Sequence, residues 1–464
     1  MATTINTSAV FVSTFAGARF FLDNAGTIQG TGTASGVYVG GGGSAEISNA
    51  GLISTAGNDN RSAVEMDATT SLRNSGTIIG DITGDAAVIL RSSGTINGDI
   101  SLGILSDIVR ISGLVEGSVY MGAGSNTFLQ RGGIVTGTVA GGTGNDVYEI
   151  DQADISLNDL GGSFDTVRVS FDWVNIVSIE NVELRSATGL QATGSAAGEV
   201  ISGSGGNDTI LGEEGADRLN GGRGDDRISG GTENDSLDGG VGNDLMRGGS
   251  GNDTFTAYLG ADTIDGGVGT DLLDMTFVYD TSIAVSVNLA TGQASFEAGA
   301  TVRVSGIENV LGSGLDDVLT GDGLANRLIG AAGDDTLSGG NGADTLFGQM
   351  GADALAGGVG ADRFLYLSTA ESNGPGGQDL ITGFVKADDV IDLSVIDAVV
   401  GGADDAFVFV GTAAFAGAGP QVRIVLDAVA STTTIEVRLA NSVSVDMTIT
   451  LDNDLALTAA NFLL

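Results

Sequence analysis

Thirteen aspartates recur at the sixth place of a glycine-rich nonapeptide, a spacing suited to repeated oxygen-ligand sites. Eight units run without a gap from Gly203 to Asp274, opening GSGGNDTIL, GEEGADRLN, GGRGDDRIS. Six more run from Gly312 to Leu365, opening GSGLDDVLT. Every unit has an apolar residue at its eighth place, and only Asn326 breaks the aspartate register. Glycines at places one, two and four permit a tight turn with positive φ and bring backbone carbonyls close together. Aspartate adds a hard anionic oxygen to that turn, which suits Ca²⁺. The bland alternative is a glycine solenoid turn that holds no metal.

The candidate ligands are Asp208, Asp217, Asp226, Asp235, Asp244, Asp253, Asp262 and Asp271 in the first array. Asp317, Asp335, Asp344, Asp353 and Asp362 serve the second, and Asp146 comes from an isolated nonapeptide, Gly141–Glu149 (GGTGNDVYE). The three residues after each aspartate form a short strand whose middle side chain points inward. One nonapeptide is then half of a flattened coil, two close an 18-residue coil, and units two apart stack. Stacking sorts the aspartates into files: 208, 226, 244, 262 beside 217, 235, 253, 271, then 317, 335, 353 beside 326, 344, 362. Glu233, Leu315 and Leu324 replace the fourth glycine and Ala257–Tyr258 the first two, so weak or empty sites are expected there.

These arrays resemble RTX, or hemolysin-type calcium-binding, repeats. The resemblance covers residues 194–365, with Gly194–Ser202 (GSAAGEVIS) as a degenerate leading unit. Gln378–Leu393 (QDLITGFVKADDVIDL) resembles the segment after the arrays in serralysin-type proteases, and Leu455–Leu464 is similar to an uncleaved type I secretion signal. An ordinary β cap on the second array fits the same residues. The resemblance implies several bound Ca²⁺ ions, the type I secretion machinery as a partner, and a secreted, extracellular and cell-surface setting. It does not extend to the protease domain.

Composition narrows the function. The chain has 59 acidic and 18 basic residues, a formal charge of −41, and Lys386 is its one lysine. Such a chain offers no basic groove for nucleic acid, and its self-repulsion opposes compaction without counterions. Metal binding and folding are therefore expected to be coupled. The absence of histidine and cysteine excludes HExxH zinc hydrolases, Ser-His-Asp triads and Cys-His nucleophiles. No apolar run is long enough for a transmembrane helix, and the first residues lack a charged region and cleavage site of the Sec type.

The elements that position these residues follow from the repeats. Residues 24–149 carry a looser repeat, with Asn24-Ala-Gly-Thr-Ile, Asn49-Ala-Gly-Leu-Ile, Asn74-Ser-Gly-Thr-Ile and Ser92-Ser-Gly-Thr-Ile among its marks. The spacing predicts a parallel β-helix, with asparagines able to ladder at the turns. Segments 150–193 and 275–311 break the nonapeptide rhythm, share the phrase Ile-Glu-Asn-Val at 179 and 307, and read as caps or spacers. The expected fold is all-β: a parallel β-helix (1–149), a spacer with a first β-roll (150–274, array 203–274), a spacer with a second (275–365, array 312–365), and a C-terminal β cap carrying the secretion signal (366–464).

The expected function is that of a secreted calcium-binding structural protein, not an enzyme, whose repeats fold on extracellular Ca²⁺ and support surface-layer, matrix or adhesive assembly. Its partners would be further copies of itself or a cell-surface glycan. The alternative is an extracellular polysaccharide lyase or epimerase, with an arginine base, Tyr38 or Tyr120 as acid and Ca²⁺ on a uronate. Arg61, Arg73, Arg91, Arg110 and Arg131 read more simply as solvated turn residues.

Overall fold

The computed structural model describes residues 10–464 except 15, 31–34, 56–61, 160, 163, 176–178, 258–259, 277–282, 297–300, 374–376 and 399–405; Arg61 and Tyr258 lie outside the described residues. The chain forms two compact units, Met1–Leu219 and Asn220–Leu464, so the first array contributes Asp208 and Asp217 to one and its later aspartates to the other.

The first unit opens as a parallel β-helix with three faces. One coil is Val37–Gly41, Ser44–Asn49 and Leu52–Ser54, and the next is Ser62–Met66, Thr69–Asn74 and Thr77–Ile79. Each strand pairs in parallel with its counterpart, as in Val37↔Val64, Ile47↔Leu72 and Ile53↔Ile78. Alternation turns every second side chain inward. Val39, Ile47, Ile53, Val64, Leu72, Ile78, Leu90 and Ile96 are thereby wholly buried in stacked rows. At one corner Asn24 donates through Nδ2 to Asn49 Oδ1 and Asn49 to Asn74 Oδ1, both at 2.8 Å, and Asn74 reaches Ser92 Oγ at 3.1 Å. Two residues on, Gly51, Gly76 and Gly94 stack so tightly that a Cβ would overlap the carbonyl of the coil below. That contact explains the x-Gly-x-Ile phrase of the loose repeat.

Arg73, Arg91 and Arg110 are strand residues, in Thr69–Asn74, Val88–Ser92 and Ile108–Ile111, which corrects their reading as turn residues. Each stands one place from an inward Leu72, Leu90 or Val109, so alternation sends it outward.

The cross-section changes within this unit. The third face ends at Ile134–Val135 and the first at Ser156–Leu157, after which the coils have two sides. Segment 150–193 does not interrupt the stack: Thr166–Val169 and Asn181–Leu184 continue the second face in register, Val147↔Thr166 and Thr166↔Asn181.

The second unit is two-sided throughout its arrays. Ser236–Asp238, Thr254–Thr256, Leu272–Asp274, Asn309–Leu311 and Arg327–Ala332 build one side, with Leu237, Phe255, Leu273, Val310 and Leu328 fully buried. Segment 275–311 is again part of the stack. Val285–Asn288, Gln293–Phe296 and Thr301–Ser305 make an antiparallel excursion whose ends rejoin the parallel ladder at Val318–Thr320 and Thr263–Val268. Both open edges are thus paired, which a free solenoid end would not achieve. At the far end Gln421–Asp427, Thr432–Arg438 and Met447–Leu451 pair antiparallel, and the last lies parallel to Asp379–Thr382.

Candidate metal centre

All fourteen sequence-predicted aspartates are buried, none more than 2 % exposed. In the second unit they form the expected files. Asp226 donates its N–H to Asp244 Oδ1 and Asp244 to Asp262 Oδ1, while Asp235 donates to Asp253 Oδ1 and Asp253 to Asp271 Oδ1, all at 2.8–2.9 Å. In the second array Asp317 donates to Asp335, Asp335 to Asp353, Asn326 to Asp344 and Asp344 to Asp362, at 2.8–3.0 Å. Each carboxylate therefore spends Oδ1 on the coil before it, which fixes its orientation.

The second oxygen is left over. Oδ2 of Asp244, Asp253, Asp271, Asp335, Asp344, Asp353 and Asp362 is buried with no hydrogen-bond partner. The first glycine of each turn stands against it: a Cβ at Gly239, Gly248, Gly330, Gly339 or Gly357 would overlap that oxygen. Burial, together with the charges of neighbouring file members, pushes Asp335 up to about 8 and Asp244 to about 7. Asp262, Asp271, Asp344 and Asp353 are pushed by burial to about 6. Unpaired buried carboxylates are costly. A file of hard, inward-aimed oxygens that repel one another fits a resident Ca²⁺, which would supply the missing positive charge at each turn.

Departures from the repeat have readable effects. Glu233 keeps a left-handed φ of 73°, so that turn is preserved at some strain. Asn326 offers an amide instead of an anion, and its Nδ2 donates to the Glu308 carbonyl at 3.1 Å. The two array-opening units, GSGGND and GSGLDD, carry serine at place two. The Ser204 N–H donates to Asp208 Oδ2 at 2.9 Å, and the Ser313 N–H to Asp317 Oδ2 at 2.6 Å. Each array thus opens on a carboxylate already supplied with a donor.

The files also take in residues outside the nonapeptides. The shared phrase Ile-Glu-Asn-Val places Glu180 and Glu308 as rungs: Asp165 donates to Glu180 Oε2 at 2.7 Å and Asp271 to Glu308 Oε2 at 2.8 Å. Glu199 of the degenerate leading unit donates to Asp217 Oδ1 at 2.7 Å. Within Gln378–Leu393, Asp379 and Asp389 receive the N–H groups of Asp353 and Asp362 at 3.0 and 3.1 Å and so end both files.

A second cluster stands in the first unit, where its cross-section changes. Asp146, Asp159 and Asp165 are fully buried, and each brings an oxygen within 4.8 Å of the others. Asp146 Oδ1 accepts from Asn126 N–H, Asp165 Oδ1 from Asp146 N–H, and Asp159 Oδ2 from the Tyr148 hydroxyl, at 2.6, 2.7 and 2.5 Å. Asp146 Oδ2, Asp159 Oδ1 and Asp165 Oδ2 remain without hydrogen-bond partners. Burial pushes Asp146 to about 6 and Asp165 to about 7. Only Asp146 is legible as a ligand from its nonapeptide. Asp165 follows Gly161-Gly162 in a turn one residue shorter, and Asp159 has no repeat signature. Outside these ladders, Tyr38 and Tyr120 lie on the first face of the β-helix while Arg73, Arg91 and Arg110 lie on the second, so the acid and base weighed for a lyase are on different sheets.

Comparison with known proteins agrees with the ladders. Residues 193–228, 221–255 and 238–273 match the family of RTX calcium-binding nonapeptide repeats (4 copies), and residues 300–464 match the Peptidase M10 serralysin C-terminal family. Among solved structures, the chain is similar to the AlgE6R3 and AlgE6R2 subunits of the Azotobacter vinelandii mannuronan C5-epimerase. The first is 26% identical over 32% of this chain and 78% of that one, with a TM-score of 0.25. The second is 29% identical over 33% and 91%, with a TM-score of 0.27. No curated protein matches the chain.

Proposed function

We propose that this chain, which carries RTX calcium-binding repeats and a serralysin-type C-terminal region and is secreted by the type I route, is an extracellular scaffold. Its calcium-folded arrays support surface-layer, matrix or adhesive assembly. The observation that carries this reading is the use of the acidic residues: the aspartates of the second unit are spent on paired structural ladders, Asp226 to Asp262 and Asp235 to Asp271 in the first array, Asp317 to Asp379 and Asn326 to Asp389 in the second. Calcium bound along them neutralises repulsion and locks coil onto coil. The aspartates of these turns then act as ligands.

Apolar side chains at place three of the turns support an assembly role. Val241 and Met350 stand on turns at one edge of the second unit and Val268 and Val359 on turns at the other, each between 54 and 74 % exposed. Light scattering and negative-stain imaging of the purified chain during a calcium titration test the reading. Ordered sheets or filaments appearing with Ca²⁺ are expected; a monodisperse monomer at saturating Ca²⁺ would overturn assembly while leaving calcium binding intact.

A further inference from the structure

We infer that the second face of the N-terminal β-helix is a binding site for an acidic polysaccharide, read by a row of arginines of which Arg91 and Arg110 have no ion pair among the described residues. Arg73, Arg91 and Arg110 are in register on three successive parallel strands, Arg73↔Arg91↔Arg110. Neighbouring strands are about 4.8 Å apart, so three guanidinium groups follow one another at that interval. Like charges directly opposite on a sheet are destabilising.

The same row shows how the fold treats a cation it means to neutralise. Following the register from Arg110 leads through Leu129 to Glu149, Arg168 and Glu183, where signs alternate. Arg168 Nε lies 3.0 Å from Glu183, Arg185 bonds the same carboxylate at 3.0 Å, and Arg131 pairs with Glu149. Upstream the pattern stops. Among the described residues Arg91 and Arg110 make no ion pair, and Arg73 reaches only Glu46, at 3.9 Å between two exposed side chains. In a chain with 18 basic residues and a charge of −41, a basic row with two arginines unpaired among the described residues is not a by-product of composition.

The row lines a surface groove together with Arg131 and the backbone-following serines Ser93 and Ser112. Guanidinium groups present planar donors that match carboxylates, and serine hydroxyls supply the neutral donors and acceptors that sugar hydroxyls require. A linear ligand with anionic groups at regular intervals, laid across the strands, would place a charge opposite each arginine. The inference stands on this row alone and does not depend on assembly.

The test uses the full chain in calcium, a hyaluronan oligosaccharide as the carboxylate glycan, dextran as the neutral glycan and polyphosphate as a non-glycan anion. Binding is read by titration calorimetry for wild type, R91Q/R110Q and R168Q. The account expects hyaluronan to bind and dextran not to, with affinity falling at least about ten-fold in R91Q/R110Q and unchanged in R168Q. Removing like charges should leave the melting temperature of R91Q/R110Q equal or higher, which separates lost binding from lost folding. No binding of hyaluronan, stronger binding of polyphosphate than of hyaluronan, or equal binding by R91Q/R110Q would each overturn it.

Discussion

Asp335 accepts the backbone N–H of Asp317 at 2.8 Å through Oδ1 and holds its other oxygen buried without a donor. That division recurs along both arrays. One oxygen sets the position of the carboxylate, and the other carries an unneutralised charge into the turn. Replacing Asp335 by Asn keeps the first role and removes the second. The D335N chain should therefore fold in calcium with fewer bound ions, counted by equilibrium dialysis. It should also lose part of its calcium-dependent gain in melting temperature. One site held at a hundred times its Kd contributes about 2.7 kcal/mol, which sets the scale of the loss.

The pH dependence has a definite sign. Folded Asp335 and Asp244 titrate near 8 and 7, above the unfolded value of about 3.9. A raised carboxylate favours folding fully below the unfolded pKa, and that contribution is lost progressively as pH rises from about 4 through the folded values of about 7 and 8. Metal-free protein should consequently hold more β structure at pH 5 than at pH 8 by circular dichroism. Calcium, which competes with those protons, should bind more tightly at pH 8 and release protons on binding at pH 6.5.

The junction cluster predicts a site of its own. Asp159→Asn removes one of three convergent carboxylates without changing side-chain size. D159N should bind fewer calcium ions than wild type, while the calcium-induced change of the arrays persists. Hydrogen exchange of residues 141–169 should slow with calcium in wild type and not in D159N; equal protection in both would remove Asp159 from any metal site.

The N-terminal ladder should behave differently, because it uses amides. Asn49 accepts from Asn24 and donates to Asn74, each at 2.8 Å in a buried corner. Asn49→Ala leaves both neighbours unsatisfied and should cost about 1–3 kcal/mol. Urea denaturation followed at this unit should show that loss at any calcium concentration.

How much of this was legible in the sequence depended on how regular the coil is. Where each coil is 18 residues long, position six alone identifies the rung, and both files could be written out from Asp208 to Asp362. The N-terminal coils vary in length, so Arg73, Arg91 and Arg110 are 18 and 19 residues apart and look unrelated, yet they share one strand row. Glu180 and Glu308 hid for another reason. Their phrase departs from the nonapeptide, but the longer side chain still reaches the N–H that an aspartate would receive. Asp159 was not legible because a loop brings it to Asp146 and no period relates the two.

The most direct measurement is far-ultraviolet circular dichroism of the purified chain at pH 7.5, first in excess EGTA and then through a calcium titration. Carboxylates that repel one another along the arrays should leave much of the second unit unfolded without metal, and β content should rise cooperatively as calcium is added. Full β content in EGTA, unchanged by calcium, would contradict the account.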